Sequence, residues 1–260
     1  MALITLRAWY LKHYEPIKAV VTRPHDLRLS RSSLLKSALR ADFLEEVEQV
    51  QETVWFQQYL EGGLVEFYIE GSGSYEVANV DLISHEIYFA KRDLSANLDP
   101  VIFLSTQHYF PESTEALRVS LSDTLKKLNP RSRLPLSLVE SVRPAKGAFR
   151  LSDTQLRKIR KCLLFIGDHT AISTFESGDS GKTCLVPSPQ VSVETGYALP
   201  NKRPGQILLV SQDRAGIKGE FPYDLPEHQQ LRFKSGKELN KVLPKLIETL
   251  LGRFSLFTGS

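Results

Sequence analysis

The sequence predicts an α/β protein: a flavodoxin-like, doubly wound, five-stranded parallel sheet preceded by a small α+β unit. Three observations predict it. From about Asp99 onward, apolar strand-length runs alternate with helix-length periodic segments, the rhythm that right-handed crossovers turn into a parallel sheet with helices on both faces. Residues 162–167, CLLFIG, are continuously apolar, as a strand buried on both faces requires. Ahead of Asp99 the period differs: apolar residues first recur every three or four positions and then alternate. A separate domain over residues 1–95 is therefore expected, with residues 96–260 forming the second.

Over 31–60, Leu34, Leu35, Ala38, Leu39, Phe43, Val47, Val50, Val54 and Trp55 recur at helical spacing, and Ser30, Ser32 and Ser33 offer N-caps. Gly62 and Gly63 stop that pattern. Val65, Phe67 and Ile69 then alternate with Glu66, Tyr68 and Glu70, a strand period. A turn at 71–74 and one or two further strands over 75–90 complete a small antiparallel sheet. In the second domain, 101–105 reads as the first strand and 112–128 as a helix with Leu117, Leu121, Leu125 and Leu128 on one face. Residues 136–142 form a second strand, Ser152 caps a helix through Leu156 and Ile159, and 162–167 is the third strand. After a polar loop, Ser188 and Pro189 open a short helix, because proline is favoured at the first helical position. Residues 207–210 and 231–233 are the fourth and fifth strands, and 237–254 the closing helix.

Of the 260 residues, 42% are hydrophobic and 24% charged, enough for a real core. Basic residues number 33 against 30 acidic, a net charge of +3, too even for a nucleic-acid coat or a polybasic membrane anchor. Arg23, His25, Arg28, Arg31, Lys36 and Arg40 make one stretch basic, but Asp26, Asp42, Glu45, Glu46 and Glu48 accompany it, which reads as a solvated face. Cys162 and Cys184 form no C-x-x-C and no Cys/His ligand spacing, so a reducing compartment is expected. No apolar run approaches the ~20 residues of a membrane-spanning helix. The opening MALITLRAWYLKHYE carries its charges within and after its apolar stretch, the reverse of a secretory signal. A cytoplasmic protein without membrane or nucleic-acid partners is expected.

In an open α/β sheet the ligand crevice lies at the carboxyl ends of the strands. The residues there are Ser105, Thr106 and Gln107 after the first strand, Asp168 and His169 after the third, and Glu194 on the helix that follows. Their convergence would make a nucleotide-sized cleft beside Glu194.

Residues 187–210, PSPQVSVETGYALPNKRPGQILLV, set Val191, Glu194, Gly196, Tyr197 and Ala198 ahead of the apolar strand QILLV, and CLLFIGDHT supplies an earlier strand ending in Asp168. Over roughly residues 98–256 this resembles nucleoside 2-deoxyribosyltransferase-like proteins and bacterial Toll/interleukin-receptor (TIR)-like domains. The resemblance implies a glutamate acting at the anomeric carbon of a ribosyl group, a role that falls on Glu194. It also implies substrate binding by Asp168, Ser105, Thr106, Gln107, Gln190 and Tyr197, with NAD or a related nucleotide or nucleoside as ligand, a homo-oligomer, and a defence or stress setting. Gln190 stands where those families carry asparagine and Thr195 where leucine is commoner. The ring that some TIR enzymes place one turn before the glutamate is absent, which leaves Tyr109 or Phe110 to supply it.

Breaking a C1′–N bond builds positive charge on the sugar, so one fixed carboxylate beside that carbon stabilises the transition state. Nicotinamide departs as a neutral base, and Glu194 alone would suffice. A purine or pyrimidine needs a general acid as well, for which Asp168 is the candidate. Plainer roles stand beside these: a solvated glutamate at 194, a turn-forming Asp168, an exposed loop histidine at 169, and close packing for Gly196 and Ala198. GDSGKT at 178–183 lacks the upstream glycine of a phosphate loop, since Glu176 holds that position, and reads as a flap over the cleft. The leading expectation is N-glycosidic cleavage or transfer, with no metal and no resident cofactor. The alternative is a nucleotide-sensing or protein-interaction module without turnover. A metal-dependent nuclease on Glu66, Glu70, Asp81 and Glu86 ranks below both.

Overall fold

The computed structural model describes residues 5–34, 38–91, 98–143, 151–176, 182–203, 205–221 and 229–257. The chain divides into two units, Met1–Leu98 and Asp99–Ser260.

In the first unit, β1 (Thr5–Tyr10) is followed by α1 (Ile17–Val20), β2 (Leu27–Leu34) and β3 (Ala38–Phe43). Then come α2 (Val47–Gln51), α3 (Val54–Leu60), β4 (Glu66–Ile69), β5 (Gly73–Asp81) and β6 (Glu86–Lys91). The six strands close into an antiparallel barrel in the order β1-β2-β3-β6-β5-β4. Ala8, Trp9 and Tyr10 of β1 pair with Ile69, Tyr68 and Phe67 of β4 to complete the ring, which leaves no open sheet edge. Leu27 and Leu29, Leu39, Ala41 and Phe43, Phe67 and Ile69, and Ile87 and Phe89 recur at every second position and are buried in one cluster. Trp55 of α3 joins that cluster, edge-on to Phe67 with ring centroids 5.2 Å apart. Register shifts at Arg31/Ser33 and Val77/Asn79 are bulges of the kind that bend strands into a closed sheet.

The helix expected over 31–60 is corrected by β2 and β3. Leu39, Ala41 and Phe43 all turn inward in the barrel, whereas one helical stripe would bury only part of that set. Helix persists only in α2 and α3, the latter capped by Thr53, whose hydroxyl accepts from the Phe56 N–H at 3.3 Å. Leu35 and Lys36 lie outside the described residues.

The second unit runs β7 (Asp99–Ser105), α4 (Pro111–Leu128), β8 (Ser137–Glu140), α5 (Asp153–Lys161) and β9 (Cys162–Asp168). It continues with β10 (Ser173–Glu176), β11 (Thr183–Val186), α6 (Pro189–Asn201), β12 (Ile207–Gln212), β13 (Gln230–Phe233) and α7 (Gly236–Gly252). A five-stranded parallel sheet has the order β13-β12-β9-β7-β8, and β10 and β11 form a separate antiparallel pair. Helix α4 packs on α7, and α5 packs on α6. Phe103 of β7, Phe165 of β9 and Leu209 of β12 share a cluster with Ile159 of α5 and Ala198 of α6, so those strand positions face the α5–α6 side. Ser152 caps α5 by accepting from the Gln155 N–H at 3.3 Å.

The expected fold class is thereby corrected. The protein is mixed α/β with a closed six-stranded antiparallel barrel and a separate five-stranded parallel sheet, not a flavodoxin-like sheet preceded by a small α+β unit. Among the described residues no helix is long and apolar enough to cross a membrane.

Candidate functional site

Glu194 lies in the second turn of α6, whose first helical residue is Pro189. Its residue exposure is 0%. Arg143, just past β8, meets it with Nη1 donating to Oε1 at 2.7 Å and Nη2 to Oε2 at 2.8 Å. The Ser105 hydroxyl at the end of β7 donates to Oε2, and the Gln155 amide of α5 donates to Oε1. Arg143 Nε also donates to the Thr106 carbonyl at 2.8 Å. A buried carboxylate must have its lone pairs satisfied, and here four donors from three other segments do so. The solvated-glutamate reading is overturned: Arg143, Ser105 and Gln155 surround this carboxylate.

Asp168, also 0% exposed, uses a different set of partners. Its Oδ2 accepts from the Ser113 and Thr114 hydroxyls of α4, each at 2.7 Å, and its Oδ1 accepts from the Thr170 N–H at 3.1 Å. Burial pushes its pKa up, while the Thr114, Ser113 and Thr170 bonds pull it down. Phe165 faces the α5–α6 side, so strand alternation turns Gly167 the same way and Asp168 towards α4. Asp168 and Glu194 therefore occupy opposite faces of the sheet and do not form a catalytic pair.

The other sequence candidates divide similarly. Thr106 and Gln107 are buried staples: the Thr106 N–H donates to Ser141 Oγ at 2.9 Å, and Gln107 Nε2 donates to Ser113 Oγ at 3.2 Å. Gln190 accepts from the Ser188 hydroxyl at 2.7 Å. Tyr197 packs against the α5–α6 core cluster. Ala198 is packed as expected, but a Cβ at Gly196 would meet open space, so close packing does not explain that glycine. Tyr109 stacks on His108 at 4.5 Å, and Phe110 lies under Arg214. Of GDSGKT, residues 178–181 lie outside the described residues, while Lys182 pairs with Glu220 at 3.0 Å.

His169 is buried rather than exposed. Its Nε2 bonds Thr195 Oγ1 at 2.9 Å, and burial drives its pKa down to about 3. Gly167 permits this: a Cβ there would sit 2.9 Å from the His169 ring. The imidazole stands edge-on to Phe221 at 6.2 Å.

Past β12 and β13 lies the cleft that sequence reasoning missed. It encloses about 350 Å³, and Arg214, Lys218, Phe221 and Arg232 are among its walls. Leu185 of β11 lines it as well; the Leu185 N–H donates to the Glu220 carbonyl at 2.8 Å, tying the β10–β11 hairpin to this wall. Arg214 lies 4.4 Å over the Phe110 ring and donates to the Ala171 carbonyl at 2.7 Å, and Arg232 lies 5.2 Å over Phe221. The signal that could have found it was available: residues just past a strand face the crevice, and SQDR follows the ILLV strand.

On the barrel, three of the four proposed nuclease carboxylates have partners of their own. Glu70 pairs with Arg7 at 2.7 Å, Asp81 accepts from the Ile83 and Ser84 N–H groups at 3.0 and 3.1 Å, and Glu86 pairs with Arg40. Among the described residues no three His, Cys, Asp or Glu side chains are grouped to hold a metal ion.

Comparison with protein-family profiles, curated proteins and solved structures finds no match to this chain.

Proposed function

We propose that the Asp99–Ser260 unit is a non-catalytic sensing module for a nucleotide or nucleoside, which it takes up in the cleft past β12 and β13. One contrast carries the reading. Glu194 has no exposed surface and is saturated by Arg143, Ser105 and Gln155, while an open cleft of about 350 Å³ lies at the same carboxyl rim. That volume falls within the roughly 300–1,000 Å³ of small-molecule sites. Glu194 then ties β7, the segment after β8, α5 and α6 together instead of meeting a substrate.

The test is thermal unfolding of the full chain with nucleosides, nucleotides and NAD, alongside chromatography for released base. A ligand that binds the folded state raises Tm, and no base should appear. Release of nicotinamide or nucleobase that Glu194→Gln abolishes would overturn the reading.

A second reading, N-glycosidic cleavage of NAD or a related nucleotide, is favoured by one observation. Arg143 keeps 11% of its side chain exposed while Glu194 keeps none, so an outward rotation of this one arginine would remove two of the four donors on the carboxylate and leave it held by Ser105 and Gln155. Base release by the wild-type chain, lost in Glu194→Gln, would decide for it. Two free cysteines, Cys162 and Cys184, support a reducing compartment in either case.

A further inference from the structure

The cleft's three cationic side chains come from separate places: Arg214 just past β12, Lys218 on the following turn, and Arg232 within β13. Asp213 is the one carboxylate among its lining residues. Among the described residues none of the three cations makes an ion pair, and Glu220, near them in sequence, is engaged by Lys182. Like charges lining one cleft repel, and an anion placed among them removes that cost.

The two arginines are also seated. Arg214 rests on Phe110 and is anchored to the Ala171 carbonyl, and Arg232 rests on Phe221. A guanidinium held against a ring keeps its N–H edge outward and has less freedom left to lose when it binds. That edge matches two oxygens of a phosphate.

We infer that Arg214, Lys218 and Arg232 form a phosphate-recognition site, so that the ligand of this cleft is the phosphorylated nucleotide and not the nucleoside. The inference rests on the sensing reading above and adds the ligand's chemical class. At about 350 Å³ the cleft is of a size for one small molecule.

Isothermal titration of the full chain at low salt tests it. The probes are adenosine, guanosine, cytidine and uridine, their mono- and triphosphates, NAD, and inorganic pyrophosphate. At least one phosphorylated probe should bind ten times or more tightly than its nucleoside, pyrophosphate should compete with it, and added salt should weaken it. Arg232→Ala and Lys218→Ala, both at exposed positions, should keep the wild-type melting temperature without ligand, and Arg232→Ala should bind about tenfold more weakly. A nucleoside binding as tightly as its phosphates, or wild-type affinity in both variants, overturns the phosphate site and leaves the sensing reading standing. Binding of no probe at all overturns both.

Discussion

Arg143 and Glu194 face each other as a fork on a fork, with paired N–H···O bonds of 2.7 and 2.8 Å inside the sheet's carboxyl rim. The Arg143 side chain is 11% exposed and that of Glu194 0%, so the pair operates in a poorly solvated place. Removing one member of a buried pair strands the other charge, at a cost of about 3–5 kcal/mol, whereas replacing both with apolar groups of similar volume is close to neutral. Arg143→Met and Glu194→Met should each lower stability by that amount in urea unfolding of the full chain. The double variant should recover most of the loss. Additive losses would mean that the two side chains do not depend on each other.

Asp168 and His169 are adjacent in sequence and should respond to acid in opposite senses. Burial raises the Asp168 pKa above the ordinary carboxylate value. The folded state then binds its proton more readily than the unfolded chain, so Asp168 adds stability as pH falls through the raised value and stops adding below the ordinary one. Asp168→Asn should remove that gain: its stability should drop relative to wild type as pH is lowered from neutral into the mildly acidic range. Parallel pH profiles for the two proteins would refute it.

For His169, burial depresses the pKa from an ordinary 6.5 to about 3. The unfolded chain takes up the proton first, so stability is complete above about pH 6.5 and is lost as pH falls towards about 3, by up to about 1.4 kcal/mol per pH unit. His169→Gln should flatten that loss. In the wild-type protein the imidazole resonances of His169 should show the neutral form throughout the range from pH 7 to about pH 5. A midpoint near 6.5 would contradict the buried placement.

What the sequence discloses follows from which interactions are local. The run 162–167 is readable because both faces of β9 are covered and no polar residue interrupts it. Ser152 is readable as a cap because its partner, the Gln155 N–H, lies three residues away. The barrel strands were hidden by arithmetic. Leu39 and Phe43 are four apart, a spacing that satisfies the helical period and the strand period alike, and only the closed sheet chooses between them. Glu194 could be singled out from its own segment. Arg143 and Gln155 could not, because they reach it from 51 and 39 residues away, and nothing local marks them as its partners. Arg214 and Arg232 meet at one cleft only because β12 and β13 are neighbours.

Inside the barrel, Trp55 carries the packing between α3 and the strands. It is almost fully buried and stands edge-on to both Phe56 and Phe67, at 5.8 and 5.2 Å. Its indole Nε1 is buried and has no hydrogen-bond acceptor among the described residues. Two terms of opposite sign therefore meet in one side chain: the ring fills volume, and its N–H is left unsatisfied. Trp55→Ala empties the site and should cost about 3–5 kcal/mol in chemical unfolding. Trp55→Phe keeps most of the apolar volume and deletes the donor, whose burial costs on the order of 1–3 kcal/mol. The phenylalanine variant should therefore fall within roughly 1 kcal/mol of wild type. If it is instead nearly as damaging as alanine, the indole N–H has a partner in solution, and the barrel interior holds an acceptor or an ordered water beside α3.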